Sequence, residues 1–257
     1  MGGSRRGRLT GMGLAAAALA AITATGFATG TAAAAPAAKA HPAHLTALTA
    51  PAYTPSARTL EEGMSGSDVK ALQQRLAALK YYPGAINGVF GADTLEAVWA
   101  FQEVNGLSVD GVVGPITKRA LVHPRAFRSN DPRQNATRIE VNLKMRVLAL
   151  FVNHKIALLS HVSSGGGYYY CSSGGCAYAI TPTGNYRTTV FMPGWVTVPL
   201  GEMYNPVFFI STVYAIHGDT DVPVDPVSHG CIRIPMDIAA FFHNLVKTPG
   251  TEVFVYQ

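Results

Sequence analysis

The chain has 257 residues, of which 48% are hydrophobic and 14% are charged, so it carries enough apolar material for one large or two modest folded domains. Its formal net charge of +5 includes Arg5, Arg6 and Arg8, and since no acidic residue precedes Pro36, the chain from Pro36 onwards carries only +2 after these three charges are subtracted. A positive charge this small gives no reason to expect that the protein binds nucleic acid.

The segment that follows the three arginines predicts export. Residues 11–28 are uncharged and rich in Ala, and residues 32–35 supply the small side chains that suit signal-peptide cleavage. We therefore predict a secretory signal peptide at residues 1–35. A permanent transmembrane helix is the alternative, but the stretch has few large apolar residues. The protein is expected to meet the membrane only transiently, during export.

Residues 36–59 predict a linker, and a small helical domain is expected after it. The linker is rich in Ala, Pro and Thr and has few large apolar side chains with which to form a core. In residues 67–79 the pattern changes, and Ser67 is placed to cap a helix. The apolar residues of that helix recur at helical spacing: Val69, Leu72, Leu76 and Leu79.

An internal repeat shapes the rest of the helical domain. The segment Asn87-Gly88-Val89-Phe90-Gly91 is echoed 23 positions later by Asp110-Gly111-Val112-Val113-Gly114. Asn-Gly and Asp-Gly pairs favour turns with positive φ, and a proline at position 115 suits the start of a helix. We predict that each copy leads into a helix, at residues 92–103 and 115–122. The result is a three-helix domain at residues 60–122.

Further motifs accompany the repeat: Gly66-Ser67-Asp68-Val69, Leu72-Gln73-Gln74-Arg75-Leu76 and Ala100-Phe101-Gln102. Together with the repeat they make this domain similar to the peptidoglycan-binding domain 1 family. The resemblance implies docking on the glycan or the stem peptides of a bacterial cell wall. Because most of these residues are core and turn residues, a helical spacer without binding activity is the alternative.

From residue 138 the hydrophobic pattern changes to period two. Residues 123–137 are polar and Pro-containing, which indicates a connector. Two apolar runs, at 146–152 and 155–163, predict a hairpin that turns at Asn153-His154. The remaining predicted elements are strands near 188–191, 207–210, 214–217 and 252–256 and a helix at 236–247. Residues 138–257 are thus expected to form a mostly-β sandwich or barrel, and the whole chain an α+β multidomain protein.

Cys231 is the strongest candidate for chemistry in the second domain. It follows Ser228-His229-Gly230, and His217-Gly218 lies upstream. A catalytic cysteine needs a nearby base that takes its proton, and histidine suits this role. Gly230 would let the chain turn and present backbone N–H groups to a reacting carbonyl. Two alternatives remain open, a buried structural cysteine and a zinc site that uses His217, His229 and Cys231 but lacks an evident fourth ligand.

The segments Ile216-His217-Gly218 and Ser228-His229-Gly230-Cys231-Ile232-Arg233 resemble the signature of the L,D-transpeptidase (YkuD-type) catalytic domain. The resemblance implies a mostly-β fold, Cys231 as nucleophile and His217, in preference to His229, as general base and acid. Ser228, His229, Gly230, Gly218 and Arg233 are expected to support them. The Gly218 carbonyl would orient the ring of His217, and the backbone N–H groups of Gly230 and Cys231 would stabilise the oxyanion. Arg233 would pair with a substrate carboxylate or else with an aspartate such as Asp225 or Asp237. Thr181-Pro182-Thr183-Gly184 resembles a turn of the same family, and Trp195 and Tyr204 are candidate cleft aromatics.

The other two cysteines, Cys171 and Cys176, bracket a short Ser-Ser-Gly-Gly segment. In an oxidising compartment they are expected to form a disulfide, although reduced and incidental thiols are the alternative. The disulfide would leave Cys231 as the free thiol.

The resemblance implies that stem peptides of peptidoglycan are joined by 3→3 cross-links through a thioester on Cys231, with release of D-alanine. An L,D-carboxypeptidase acting on the same peptides, or a non-catalytic wall-binding protein, is the alternative. No metal and no organic cofactor is expected. The protein is predicted to be a monomer in the cell wall or outside the cell of a bacterium, with glycan and stem peptides as partners and no nucleic acid.

Overall fold

A computed structural model describes residues 53–172 and 175–257 of the chain. The predicted signal peptide and most of the predicted linker lie outside these described residues. Within them, no helix combines the length and the apolar character that crossing a bilayer requires. The helices are α1 Ser67–Ala78, α2 Ala92–Asn105, α3 Pro115–Val122 and α4 Met236–Phe242. The strands are β1 Arg138–Asn142, β2 Val147–Val152, β3 Lys155–His161, β4 Tyr169–Ser172, β5 Gly175–Tyr178, β6 Gly184–Arg187, β7 Trp195–Val198, β8 Gly201–Ile210, β9 Tyr214–Asp219, β10 Ile232–Pro235 and β11 Glu252–Tyr256.

The three predicted helices of the first domain are present, with one correction at the start of α1. Gly66 occupies the N-cap position and no side chain caps the helix, so the prediction that Ser67 is the cap is wrong. Asp68, in the first turn, instead forms an ion pair with Arg58, with 2.7 Å between the Arg58 Nε and the Asp68 Oδ2. Helix α2 runs two residues past its predicted end and stops where Gly106 takes a left-handed conformation with φ of 66°.

A buried glutamine holds each copy of the sequence repeat. The Gly88 N–H donates to Gln73 Oε1 at 2.9 Å, and the Gln73 side-chain amide donates to the Val89 carbonyl at 2.9 Å. In the second copy, the Gly111 N–H donates to Gln102 Oε1 at 2.9 Å, and the Gln102 amide donates to the Val112 carbonyl at 3.2 Å. In each copy, a glutamine on the preceding helix thus makes the same pair of hydrogen bonds to the turn, although the two glutamines do not share the 23-residue spacing. The turn residues of the repeat have a structural role in the domain.

Replacing Gln73 by alanine is expected to lower the free energy of unfolding by about 2–4 kcal/mol, because the buried Gly88 N–H loses its acceptor and a cavity remains. Urea unfolding followed by circular dichroism measures this change. Gln74→Ala is the matched control, since Gln74 is exposed on the same helix. Equal stability of the two variants would contradict the structural role of Gln73.

The second domain is a sandwich of two sheets. The five-stranded sheet has the order β3-β2-β1-β11-β6, the four-stranded sheet has the order β10-β9-β8-β7, and β4 and β5 form a separate hairpin. The ladders are antiparallel except for β1 with β11 and β9 with β10, which are parallel. Buried side chains from both sheets and from α4 form the core between them, among them Ile139, Leu148, Val207, Ile216, Ile232 and Phe242.

Strand β2 explains how the two domains fit together. Its sequence is a continuous apolar run, and its alternate residues face two different cores. Leu148 and Leu150 belong to the core of the sandwich. Val147, Ala149 and Phe151 pack in a second core that also contains the buried side chains of α1 and α2. The helical domain therefore covers the outer face of the five-stranded sheet, which is why β2 lacks the polar residues of a half-exposed strand.

The predicted hairpin forms as β2 and β3, and both Asn153 and His154 adopt positive φ at its turn. The segment predicted as a strand at 188–191 is not a regular strand, but it does bond to β8: the Thr189 N–H donates to the Phe208 carbonyl at 2.8 Å, and the Phe208 N–H donates to the Val190 carbonyl at 2.8 Å. The regular strand of this region lies earlier, at β6, where Gly184–Arg187 pairs with β11. The predicted helix at 236–247 is shorter, since α4 ends at Phe242 and a 3-10 turn follows at His243–Leu245.

Candidate active site

The parallel pair β9 and β10 brings the two principal candidates together. Arg233 lies opposite His217 in the ladder, and Cys231 comes directly before the first residue of β10. Because side chains alternate along a strand, Cys231 lies on the same face as Arg233, diagonally across from His217. Both Cys231 and His217 line a cleft of about 460 Å³. The remaining lining comes from β4, from β7, β8 and the turn between them, from β9 and the turn before it, and from β10 and the turn before it: Tyr170, Ser172, Val198, Pro199, Leu200, Gly201, Glu202, Met203, Thr212, Val213, Tyr214, Asp219, Ser228, His229 and Arg233.

The thiol of Cys231 lies in a partly exposed position at this cleft, with its Sγ 3.7 Å from the Val213 carbonyl oxygen. Burial raises the pKa of the Cys231 thiol, and this effect is opposed by the backbone N–H of Ala215 and by the charge of Arg233. A thiol is ordinarily protonated at neutral pH, and a raised pKa strengthens that preference. At rest Cys231 is therefore a neutral thiol, which would need a base in order to act as a nucleophile.

The imidazole of His217 is almost completely buried, with 4% of its surface exposed. Its Nδ1 lies 3.0 Å from the Gly218 carbonyl oxygen, which places the proton on Nδ1. Burial lowers the pKa of His217, against the opposing effects of this hydrogen bond and of Asp219. At neutral pH His217 is thus a neutral imidazole whose Nε2 lone pair accepts a proton, as the sequence analysis expects of a base oriented by Gly218.

The pKa directions predict how Cys231 reacts with a thiol reagent. Because the pKa of the thiol is raised, the rate of iodoacetamide alkylation should be slow at pH 7 and should keep rising through pH 9. Intact mass spectrometry measures the rate, and the disulfide between the other two cysteines keeps them from reacting. A rate that is already maximal at pH 7 would contradict a neutral resting thiol.

Hydrogen bonds fix the turn that carries Cys231, the candidate nucleophile. The Ser228 hydroxyl donates to the Cys231 carbonyl at 2.6 Å and accepts the Gly230 N–H at 3.0 Å. The Gly230 carbonyl accepts the Thr181 hydroxyl at 2.7 Å. The prediction that the Gly230 N–H faces a reacting carbonyl is wrong for this conformation, because Ser228 already binds it. The Cys231 N–H stays the expected oxyanion donor.

Gly230 is required at its position by both conformation and space. Its φ of 140° is one that other residues rarely adopt. A Cβ atom there would lie 2.6 Å from the Ile180 carbonyl oxygen and 2.6 Å from the Tyr214 ring. The close approach of these neighbours packs the nucleophile turn against the cleft wall.

His229 lies beside the nucleophile but contacts aromatic rings. Its ring centroid is 4.6 Å from that of Tyr170 and 5.8 Å from that of Tyr168. Tyr170 belongs to the β4–β5 hairpin, in which Cys171 and Cys176 form the expected disulfide. His229 thus connects the nucleophile turn to the disulfide hairpin, and the hairpin forms one wall of the cleft.

Arg233 is at the cleft, but its ion-pair partner differs from the two that the sequence analysis names. Its Nε lies 3.1 Å from Asp219 Oδ2, and one terminal nitrogen donates to the Asp221 carbonyl at 3.1 Å. Neither Asp225 nor Asp237 pairs with it. Arg233 therefore combines a structural ion pair with a position that lines the cleft.

Sequence reasoning missed the aromatic residues of the cleft. Trp195 and Tyr204 contact each other, with ring centroids 5.3 Å apart, and neither lines the cleft. Tyr170 and Tyr214 do line it. Their positions in the sequence could have indicated this, because Tyr170 is next to a cysteine of the disulfide and Tyr214 comes three residues before His217.

Potential metal ligands come together elsewhere. In the described part of the chain, three carboxylates on α2 and α4 form a group that could hold a metal ion: Asp93, Glu96 and Asp237. Their candidate ligand atoms all lie within 4.8 Å of one another. Burial, together with the neighbouring carboxylates, raises the pKa of Glu96 to about 8 and that of Asp237 to about 7. His217, His229 and Cys231 form no such group among the described residues. The geometry therefore does not favour the zinc site.

Comparisons with known proteins agree with this arrangement. The sequence pattern of the peptidoglycan binding domain matches residues 65–121, and that of the L,D-transpeptidase catalytic domain matches residues 136–255. The crystal structure of an L,D-transpeptidase from Xylanimonas cellulosilytica is 32% identical, covers 79% of this chain and 100% of that chain, and has a TM-score of 0.73.

Curated relatives match over shorter spans. A spore cortex-lytic enzyme of Bacillus cereus is 39% identical over 82 residues, which are 32% of this chain and 32% of that protein. An uncharacterized protein of Kitasatospora aureofaciens is 43% identical over 105 residues, 40% of this chain and 85% of that protein. The chain spans only about a third of the length of the spore cortex-lytic enzyme. The likeness to the Xylanimonas enzyme, together with the catalytic-domain pattern, shows that the chain belongs to the L,D-transpeptidase family.

Proposed function

We propose that the protein joins peptidoglycan stem peptides by 3→3 cross-links, using Cys231 as nucleophile and His217 as general base and acid. The observation that supports this proposal is the convergence of Cys231 and His217 on one cleft from adjacent parallel strands. A neutral thiol and a neutral imidazole at one cleft form a pair between which a proton can move when substrate binds.

In the first half of the reaction, His217 Nε2 takes the proton of the Cys231 thiol. The thiolate attacks the carbonyl carbon of the third residue of a tetrapeptide stem, and the Cys231 N–H stabilises the oxyanion. His217 returns the proton to the amine of the leaving D-alanine as the peptide bond breaks. The product is a thioester between Cys231 and the tripeptide stem.

In the second half, the side-chain amine of another stem peptide attacks the thioester. His217 accepts a proton from this amine, a new amide bond forms, and the C–S bond breaks. The thiolate regains its proton from His217, which returns both groups to their resting states. All proton transfers use protein side chains, so the proposed cycle requires no metal and no organic cofactor.

The same proposal gives a role to Arg233 and to the helical domain. The cationic Arg233 at the cleft is suited to a carboxylate of the stem peptide. The domain matching the peptidoglycan binding pattern would hold the enzyme on its polymeric substrate. The peptidoglycan substrate places the working protein in the cell wall of a bacterium, in accord with the predicted signal peptide.

The test is incubation of the purified protein with disaccharide-tetrapeptide, followed by chromatography and mass spectrometry of the products. Cross-linked dimer together with free D-alanine supports transpeptidation. Tripeptide monomer with free D-alanine but without dimer would replace the proposal by an L,D-carboxypeptidase, in which water takes the place of the amine. Unchanged substrate without a covalent adduct on Cys231 would leave wall binding as the function.

A further inference from the structure

Glu103, on helix α2 of the helical domain, is a buried carboxylate that contacts the catalytic domain. Its two oxygens lie 3.0 and 3.1 Å from Nδ1 of His161, the last residue of β3. Arg146 Nε also reaches the same carboxylate, 3.2 Å from Oε1. The exposed fractions are 7% for Glu103 and 1% for His161, so this polar contact lies inside the interface of the two domains.

The other ring nitrogen of His161 reaches the catalytic loop, which we define as residues 220–231, between His217 and the end of the nucleophile motif. Nε2 lies 3.1 Å from the Pro223 carbonyl oxygen. A carbonyl accepts only, so Nε2 carries a hydrogen, and Nδ1 shares a proton with the Glu103 carboxyl group. His161 therefore bridges helix α2 and the catalytic loop.

The residues after His161 continue the attachment to the catalytic loop. The Ser163 hydroxyl donates to the Asp225 carbonyl at 3.0 Å and accepts the Val227 N–H at 3.2 Å. The Ser228 N–H donates to the Ser164 carbonyl at 2.9 Å. Since Ser228 in turn binds Gly230 and Cys231, hydrogen bonds joined by short lengths of main chain lead from α2 to Cys231.

This polar contact is not needed to hold the domains together. The apolar core between α1, α2 and the outer face of β2 already joins them, and it includes Phe101, Tyr81 and Phe151. A buried ion pair contributes little net stability compared with apolar residues of the same volume, because desolvation offsets the attraction between its charges. What such a pair adds is a fixed geometry for the groups that it contacts.

The geometry points to Glu103 and His161 as positioning residues, through which the peptidoglycan-binding domain sets the catalytic loop and hence the reactivity of Cys231. The inference rests on the proposed transpeptidation and adds a coupling between the two domains. Helix α2 then helps to hold the catalytic loop in position. A ligand or a mutation that shifts α2 would change turnover without touching the cleft.

The test compares three variants of the full chain with the unchanged protein. Glu103→Leu combined with His161→Phe fills the same volume, leaves no orphan charge and cannot donate to Pro223. Glu103→Gln keeps both hydrogen bonds of His161, since the glutamine amide can donate to Nδ1 while Nε2 still donates to the Pro223 carbonyl. Arg146→Gln is the matched control, because it removes a polar contact to Glu103 in the same interface but leaves the bond to the catalytic loop.

Each variant is measured in three ways: thermal unfolding, kcat and KM for cross-linking, and hydrogen exchange of the peptide that contains residues 223–231. The double variant should keep its melting temperature and lose about tenfold or more in kcat, with little change in KM, because the nucleophile is misplaced. Its loop amides should exchange about tenfold faster or more. Glu103→Gln and Arg146→Gln should stay close to the unchanged protein in all three measurements.

A folded double variant with unchanged kcat and unchanged exchange would overturn the inference. Equal losses in Arg146→Gln and in the double variant would also overturn it, because loosening of the interface would then explain both. Hydrogen exchange needs no turnover. If the unchanged protein forms no cross-links, the proposed function fails, while the attachment of the loop to α2 is still decided by exchange.

Discussion

Replacing Cys231 by alanine is expected to abolish both D-alanine release and cross-link formation, a loss of at least ~10³-fold in kcat/KM. The reason is that Cys231 is the one free thiol of the three cysteines in the sequence, since Cys171 and Cys176 are joined in a disulfide. Quantification of free D-alanine and of cross-linked dimer measures the loss. Because the Cys231 side chain is small and partly exposed, the variant should fold normally.

The covalent intermediate offers a control that does not depend on turnover. With tetrapeptide alone, the unchanged protein should gain the mass of the tripeptide acyl group, and hydroxylamine should remove that mass because it cleaves thioesters. Cys231→Ser keeps the size of the side chain and replaces the thiol by a far less acidic hydroxyl, so its acylation should be very slow. Full activity in Cys231→Ala would refute the nucleophile.

Local sequence patterns predict the elements that are determined by residues close to them in the sequence. The β2–β3 hairpin has two apolar runs that flank Asn153-His154, and the structure turns at these residues. Helix α3 has the bounds that Pro115 and the repeat indicate. In both cases the turn chemistry and the hydrophobic period act within a few residues, so the surrounding structure adds little.

Tertiary structure decided the elements that the sequence analysis placed wrongly or left out. Strand β6 has alternate side chains exposed and consists of Gly, Asn, Tyr and Arg, so neither hydrophobicity nor β-propensity marks it. It is a strand because it pairs with the edge of β11. The short exposed hairpin of β4 and β5 also lacks a hydrophobic signal, and its pairing encloses the disulfide between Cys171 and Cys176.

In the candidate site, too, the sequence predicts some features and tertiary structure decides the others. The types and spacing of His217 and Cys231 suggest a nucleophile and a base in the sequence itself, because the reaction requires those side chains. Their surroundings come from distant segments, as with Asp219 beside Arg233 or Thr181 on the Gly230 carbonyl. Glu103 and His161 are separated by 58 residues and meet only because α2 packs on the outer sheet face. No local pattern contains that contact.

The second large effect is expected for His217→Gln, which should lower kcat/KM at pH 7 by about 10²–10⁴-fold, the usual contribution of a general base. Glutamine can still reach the Gly218 carbonyl with its side-chain amide but cannot take the thiol proton. Chromatographic rates of dimer formation measure the change. His123→Gln is the matched control, because His123 is an exposed histidine just after α3, and its activity should stay unchanged.

The pH profile separates loss of the base from a mere loss of structure. In the unchanged protein, activity falls when His217 becomes protonated, and because burial lowers the pKa of His217, the fall should lie below the ordinary histidine value of about 6.5. In His217→Gln this acid limb should disappear. The residual rate should instead rise steadily with pH, since the thiolate then forms only by direct ionisation of Cys231, whose pKa is raised. An unchanged acid limb in His217→Gln would assign the base to another group, and His229, beside the nucleophile, would be the next candidate.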